Sequence, residues 1–399
     1  PSLPPDTTAM RTQLTLGLVS LALTASAQWT AVPSGTLTQL EDVLIANPQL
    51  ALACGKDGIL LRSLDGGSSW TTIASGHADD LNEVVRTGPS SFLILTDGGI
   101  ILRSTDAGVS WTSSSVPTSS ELVSASRAGD RIVAVGEGGA LLLSDDLGTN
   151  WSAIQSGTPN DLQAVWAITA QEWIAVGKNG TAIHSMNGGA SWVAVTMPVQ
   201  DDLNDVCFID PTMGVIVGDE GNVLRSTDGG STWVPMPSGT GLELDAVWTD
   251  LGNATFMCGV GGTVRRSTNG GLSWSAMSTP VSAELRDVTY ASGLGLAVGA
   301  AGTIIHLGSG TGVPEDDLIA RGLVISSGPN NGEVTLHILD GGLMDRFTAE
   351  VLDVRGRVVR STGIIHSSAI LINLGTGAYL LQLRDHGAVI HGRTFVVAR

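Results

Sequence analysis

Seven tryptophans recur at almost equal intervals along the chain: Trp29, Trp70, Trp111, Trp151, Trp192, Trp233 and Trp274. Five of the six intervals are 41 residues and the other is 40. A fixed period of this length marks a repeat architecture, in which one supersecondary unit is copied and each copy buries its apolar face against its neighbours. Most conspicuous residues in such a chain exist because the repeat needs them. Functional residues have to be sought among positions that the period leaves unexplained.

The copy at residues 203–237 shows what is repeated. Leu203 to Ile209 reads as a first strand, Pro211-Thr212 as a turn and Gly214 to Val217 as a second strand. Gly218 to Gly221 is a Gly-rich hairpin turn, Val223 to Ser226 a third strand, and Trp233 opens a fourth that Pro237 ends. Four short strands joined by turn residues make an antiparallel meander. The turn before each Trp follows Ser-x-Asp/Asn-x-Gly-x-x-Trp at Ser63–Trp70, Ser104–Trp111, Ser144–Trp151, Ser185–Trp192, Ser226–Trp233 and Ser267–Trp274. Its acidic or amide residues, Asp65, Asp106, Asp146, Asn187, Asp228 and Asn269, suit local bonding to turn amides. Asn replaces Asp in two copies, which hydrogen bonding tolerates and carboxylate chemistry does not. These six are structural turn caps.

The motif resembles the Asp-box (BNR) repeat of sialidase-like β-propellers. The longer pattern "LNDV…GDEGNVLRSTDGGSTW" resembles the photosystem II assembly and stability factor family of propellers. The resemblance covers about residues 28–307 and implies an all-β, seven-bladed ring. Strand-one starts support that number, recurring at Leu40, Leu81, Leu122, Leu162, Leu203, Leu244 and Leu285. The seventh copy ends at Leu307 without a box, and Trp29 stands at the other end with no box before it. Residues 28–33 are therefore expected to supply the outermost strand of blade 7, closing the ring and removing its lateral edge.

Composition narrows the partners. The formal net charge of −18 argues against nucleic acid, whose binding relies on Lys and Arg at phosphates, and against anionic membranes. Met10-Arg11, the apolar run Leu14–Leu23 and Ala25-Ser26-Ala27 read as a secretory signal peptide cut after Ala27, with residues 1–9 upstream of the start. No segment reaches the ~18 apolar residues of a membrane span. Cys54 and Cys258 fall where other copies have Val135, Val176, Val217 and Val298, so these two are expected to be buried, and with Cys207 they make no disulfide framework. No cofactor and no metal site is expected.

Residues 308–320 read as a linker. Beyond it, seven strand-like segments (322–325, 333–338, 348–353, 358–361, 370–374, 378–384 and 389–397) suggest a small Ig-like β-sandwich over 321–399. The stretches "SGPNNGEVTL", "AEVLDVRGRVV" and "NLGTGAYLLQLRDHGAVIHGRTFVV" resemble the C-terminal sorting domain of type IX secretion substrates. That resemblance implies contact with the secretion machinery, passage through periplasm and outer membrane, and a secreted or surface protein.

Two positional rings remain for function. The residue before each box Ser is Arg62, Arg103, Arg225, Arg266 or His184, with His306 equivalent in blade 7 and Leu143 the exception. They suggest an arc able to meet anions or a partner's acids; alternatively each Arg pairs with a neighbouring blade's acid or caps its turn carbonyls. The first strands, expected to line the central channel, carry Asp42, Glu83, Asp205 and Asp287. These could hold a ligand or Ca²⁺, act on a glycoside, or form a solvated channel mouth. Trp166 and Trp248 share one first-strand position off the period and suggest either core packing or a stacking surface for sugar or peptide. Tyr290 and Glu284 are the nearest approach to a sialidase-type pair. The sequence thus predicts a secreted, monomeric, non-enzymatic propeller that binds a protein or glycan, with an Asp-box glycoside hydrolase or lectin as the alternative.

Overall fold

The computed structural model describes residues 28–249, 254–291 and 293–307, together with seven later strand segments between residues 323 and 397. The proposed leader with Ala27 and the linker 308–320 lie outside the described residues. Residues 29–307 form seven four-stranded antiparallel sheets. In blade 5 the strands are Leu203–Phe208, Gly214–Gly218, Val223–Ser226 and Val234–Met236. Blade 7 takes Leu285–Ala291, Leu294–Gly299 and Thr303–Leu307 from one end of the ring and Trp29–Val32 from the other. The closing pair runs antiparallel, with Trp29 opposite Leu307 and Val32 opposite Ile304. The missing seventh box follows: no hairpin joins those two strands.

The core sits between the blades. Ala164, Ile174 and Val176 of blade 4 pack against Leu203, Phe208, Ile216 and Trp233 of blade 5. At the closing seam, Leu296, Val298 and Ile304 of blade 7 pack against Leu40, Val43, Ala53 and Leu61 of blade 1. The second strand of each blade is covered on both faces, which is why Ala51–Gly55 has no polar alternation. Trp173, off the period, is fully buried in the second strand of blade 4. The three cysteines are free and buried, Cys54 and Cys258 as the repeat register requires.

Tight backbone packing explains the glycine. A Cβ on Gly55 would lie 2.1 Å from the Gln39 carbonyl oxygen, so the second-strand end is pressed onto the segment entering its own first strand. Blade 2 places Thr96 there, whose hydroxyl donates to the Asp97 and Ile100 carbonyls.

The box turns are built as the sequence suggests. Asp65 accepts from the Ser63 hydroxyl (2.8 Å), the Ser69 amide (2.9 Å) and the Ser69 hydroxyl (2.6 Å). The Ser63 hydroxyl in turn accepts from the Gly67 amide, and the Trp70 indole donates to the Gly67 carbonyl. These bonds to the ionised form, led by the Ser69 hydroxyl, lower the Asp65 pKa to about 2. In blade 4 the Asn187 amide nitrogen donates to Ser191 Oγ, so the serine changes from donor to acceptor while the rest is kept. The buried indole N–H of Trp29 has no acceptor, and neither has that of Trp274, although Trp274 closes a box.

Beyond the ring, strands at Leu323–Ser327, Glu333–Ile338, Phe347–Asp353, Val358–Gly363, Ile370–Asn373, Gly377–Asp385 and Ala388–Val397 match the expected segments within about three residues. They pair into one three-stranded and one four-stranded antiparallel sheet.

Candidate functional site

The first strands surround a central cavity of about 620 Å³. Each first strand carries a β-bulge two residues in. In blade 1, Leu40 pairs with Gly55 and Asp42 with Cys54, leaving Glu41 as the extra residue. The bulge turns Asp42 along the channel wall rather than across it, and its carboxyl accepts the backbone amide of Val84 in blade 2 at 2.9 Å. Glu83 reaches the Ala125 amide in blade 3, and the Ser124 hydroxyl there accepts from Val165 in blade 4. Asp205 accepts from Val247 in blade 6, and Asp287 from Val43 in blade 1. Lining the channel, the four acids thus form a belt of inter-blade staples. It is interrupted only where blades 4 and 6 have Ala164 and Ala246, which carry no acceptor.

Crowding acids in a channel raises their pKa values. Burial, with the charges of Asp287 and Glu83 next, lifts Asp42 well above the carboxylate range, and it hydrogen-bonds Asp287 across the closing seam. Burial lifts Glu83 to about 8, Asp205 to about 7 and Asp287 to about 6. Among the described residues, no group of three or more His, Cys, Asp or Glu is arranged to hold a metal ion.

The two ends of the channel differ. One face carries the segments entering the first strands and the second hairpin turns. There Asp80, Glu121, Asp161, Asp202, Glu243 and Glu284 occupy one repeat position, immediately before the strand-one Leu. The period of this acidic ring is the same as that of the tryptophans, so the sequence alone carries its signal. Arg286 bridges Asp245 (2.9 Å), Glu284 (3.0 Å) and Glu41 (3.7 Å) at this rim. Burial raises Asp245 to about 7 even so.

The opposite face carries the box turns. Arg86 and Arg127 border the channel here, anchored on the Ala46 carbonyl (2.7 Å) and the Gly129 carbonyl (2.6 Å) respectively. Trp166 and Trp248, from blades 4 and 6, meet edge to face with ring centroids 6.2 Å apart, spanning the small Cys207 of blade 5. The Trp248 indole donates to the Tyr290 carbonyl at 2.8 Å.

The box-position cations lie on this face but are engaged. Arg62 donates to the Ala107 carbonyl of the next box (2.9 Å), Arg103 to Leu147 (3.2 Å) and Arg225 to Gly270 (2.6 Å). His306 hydrogen-bonds the Gly66 backbone, while burial lowers its pKa. Arg266 faces boxless blade 7, and its guanidinium lies 5.9 Å from the Phe256 ring centroid. His184 is buried with Nε2 unpartnered, and burial lowers its pKa too. The arc exists, and four of its members staple successive blades. Tyr290 stacks on Phe256 near the end of the strand that Glu284 precedes, so the two sit near opposite faces, about 20 Å apart at strand rise.

Comparison with known proteins follows this geometry. The family model described as photosynthesis system II assembly factor YCF48 matches residues 21–185 and 184–240. The structure described as YCF48 bound to D1 peptide superposes with a TM-score of 0.61 at 18% identity, covering 71% of this chain and 96% of that one. YCF48 from Cyanidioschyzon merolae gives a TM-score of 0.60 at 19% identity, covering 71% and 99%. The WD40 propeller domain of Doa1 gives 0.60 at 12% identity, covering 69% and 94%, so the superposition reports fold. No curated protein matches. With its box repeats, seven-bladed closure and a family match over more than half its length, the chain belongs to the photosynthesis system II assembly factor YCF48 family.

Proposed function

We propose that this chain is a non-enzymatic scaffold that docks an acidic segment of a partner protein across its box face, at the channel mouth. The observation that carries this reading is the separation of charge. Arg86 and Arg127 sit beside the Trp166–Trp248 pair at one mouth, while six acids ring the other, where Lys56, Lys178 and Arg286 pair with Asp80, Asp161 and Glu284 and leave Glu121, Asp202 and Glu243. Each Arg uses part of its five-donor fork on a carbonyl, which fixes the side chain and leaves donors for a carboxylate. Half-buried indoles beside oriented arginines suit a protein contact. The solved relative that holds a D1 peptide supports peptide binding as the mode. Arg62, Arg103, Arg225, Arg266, His184 and His306 form the outer support of this face. The belt acids Asp42, Glu83, Asp205 and Asp287 hold the ring at its centre.

We place the protein outside the cytoplasm. The leader-like residues 10–27 and the tail's likeness to type IX sorting domains support export, and the two later sheets suit a small sandwich. A glycan stacked on Trp166 and Trp248 is the second reading, favoured by that aromatic pair alone. The test is an array of acidic and neutral peptides probed with residues 28–399. Arg86→Gln/Arg127→Gln is expected to lose binding at least tenfold and Lys56→Gln/Lys178→Gln on the opposite face to keep it. Equal loss in both, or no acidic peptide bound, would refute the reading.

A further inference from the structure

Blade 7 is the one blade whose outer strand does not continue from its third. In the other six, a box turn links the two, whereas Trp29–Val32 is tied to the ring only through the segment from Pro33 to Leu40. Whenever residues 29–32 leave, Thr303–Leu307 becomes a free sheet edge, which is a template for another strand. The buried Trp29 indole N–H has no acceptor, a defect that Trp274 shares in blade 6, where a box turn ties the outer strand to the third.

Recognition by this edge rests on two side chains. Trp29 is 4% exposed and packs with Phe256 and Leu307 at the interface with blade 6. Gly295 leaves the room it occupies, since a Cβ there would lie 3.2 Å from the indole Cη2. Val32 packs against the cluster between blades 7 and 1. Thr30 and Ala31 between them are exposed, so other residues fit there.

We propose that the outer edge of blade 7 is a strand-acceptor site and that Trp29–Val32 is its exchangeable occupant. A partner segment with an aromatic residue, then a branched aliphatic one three positions later, docks there as the fourth strand. This site lies on the rim and does not depend on docking at the channel mouth. The tethered strand competes at an effective concentration on the order of millimolar. Truncating its indole weakens it by roughly a hundredfold, bringing a free competitor into the range of about 10 µM.

The test uses residues 28–399 and a fluorescein-labelled peptide of residues 28–36, followed by anisotropy. Trp29→Ala protein is expected to half-saturate near 10 µM, wild type only near millimolar, and a peptide with Ala for its Trp to bind neither. A Thr30→Cys/His306→Cys pair, opposite each other in the closing strands, should exclude the peptide when oxidised. A folded Trp29→Ala protein that takes no peptide overturns the proposal. If that variant does not fold, hydrogen exchange of the wild type decides. Amides between Trp29–Val32 and Thr303–Leu307 are expected to open at least tenfold more often than those between the two outer strands of blade 5. Equal rates overturn the proposal.

Discussion

Replacing Glu83 by Gln tests whether the channel belt is a proton-loaded structural device. Glu83 accepts the Ala125 amide and the Ser124 hydroxyl of the next blade, and burial raises its pKa from 4.5 to about 8. A raised folded-state pKa in an acid means that the folded protein binds more protons than the unfolded one between those values. Stability therefore falls as pH rises from about 4.5 to about 8. The full gap corresponds to about 4–5 kcal/mol by linkage, and shared protons and lumen water reduce the expected effect to about 2 kcal/mol. Gln keeps an oxygen for the Ala125 amide and never ionises. Urea unfolding at pH 5, 7 and 9 should show Glu83→Gln within about 0.5 kcal/mol of wild type at pH 5 and about 2 kcal/mol more stable at pH 9. Parallel pH profiles for the two proteins would refute the reasoning, because they would mean that Glu83 stays ionised at no cost.

At the acid end the sign reverses: Asp65 and Asp146, each lowered to about 2 by turn hydrogen bonds, contribute stability that is lost as pH falls from about 4 to 2, measurable as a declining melting temperature. Asn187→Asp should shift urea stability at pH 7 by under about 0.5 kcal/mol, because Ser191 only turns from acceptor to donor; Ser185→Ala should cost about 1–2 kcal/mol through the lost Gly189 and Asn187 bonds. Trp233→Phe, which gives up the bond to the Gly230 carbonyl, should cost more than Trp29→Phe, which gives up a donor that has no acceptor. Gly55→Ala drives a Cβ into the Gln39 carbonyl and should lower stability by about 2 kcal/mol or more in thermal melts.

The ring was legible in the sequence because its determinants are local. A Ser-x-Asp-x-Gly-x-x-Trp turn closes within eight residues, and Asn187 and Asn269 already betray that hydrogen bonding, not carboxylate chemistry, is required. Trp29 without a box identified the closing strand. What stayed hidden depends on contacts across one or more repeats. Asp42 finds its partner in Val84 only because a bulge at Glu41 re-aims the side chain, and no local pattern announces that bulge. Trp166 and Trp248 share a strand position, yet their meeting follows from the small Cys207 between them. Arg62, Arg103 and Arg225 admit a docking arc, an ion pair with a neighbouring blade or a turn cap, and only the distances to the next blade's carbonyls show the capping. The acids before each strand-one Leu were legible in principle and needed only the same ruler that found the tryptophans.

The most direct test of a box-face scaffold is hydrogen exchange of residues 28–399 with and without the best acidic peptide from the array. Binding at the channel mouth predicts protection in the segments after the first strands, around Arg86–Ser90, Arg127–Asp130 and Trp166–Ala170, with the turns at Asp57, Glu137 and Glu220 unchanged. Protection confined to those turns, or spread evenly over both faces, would contradict it.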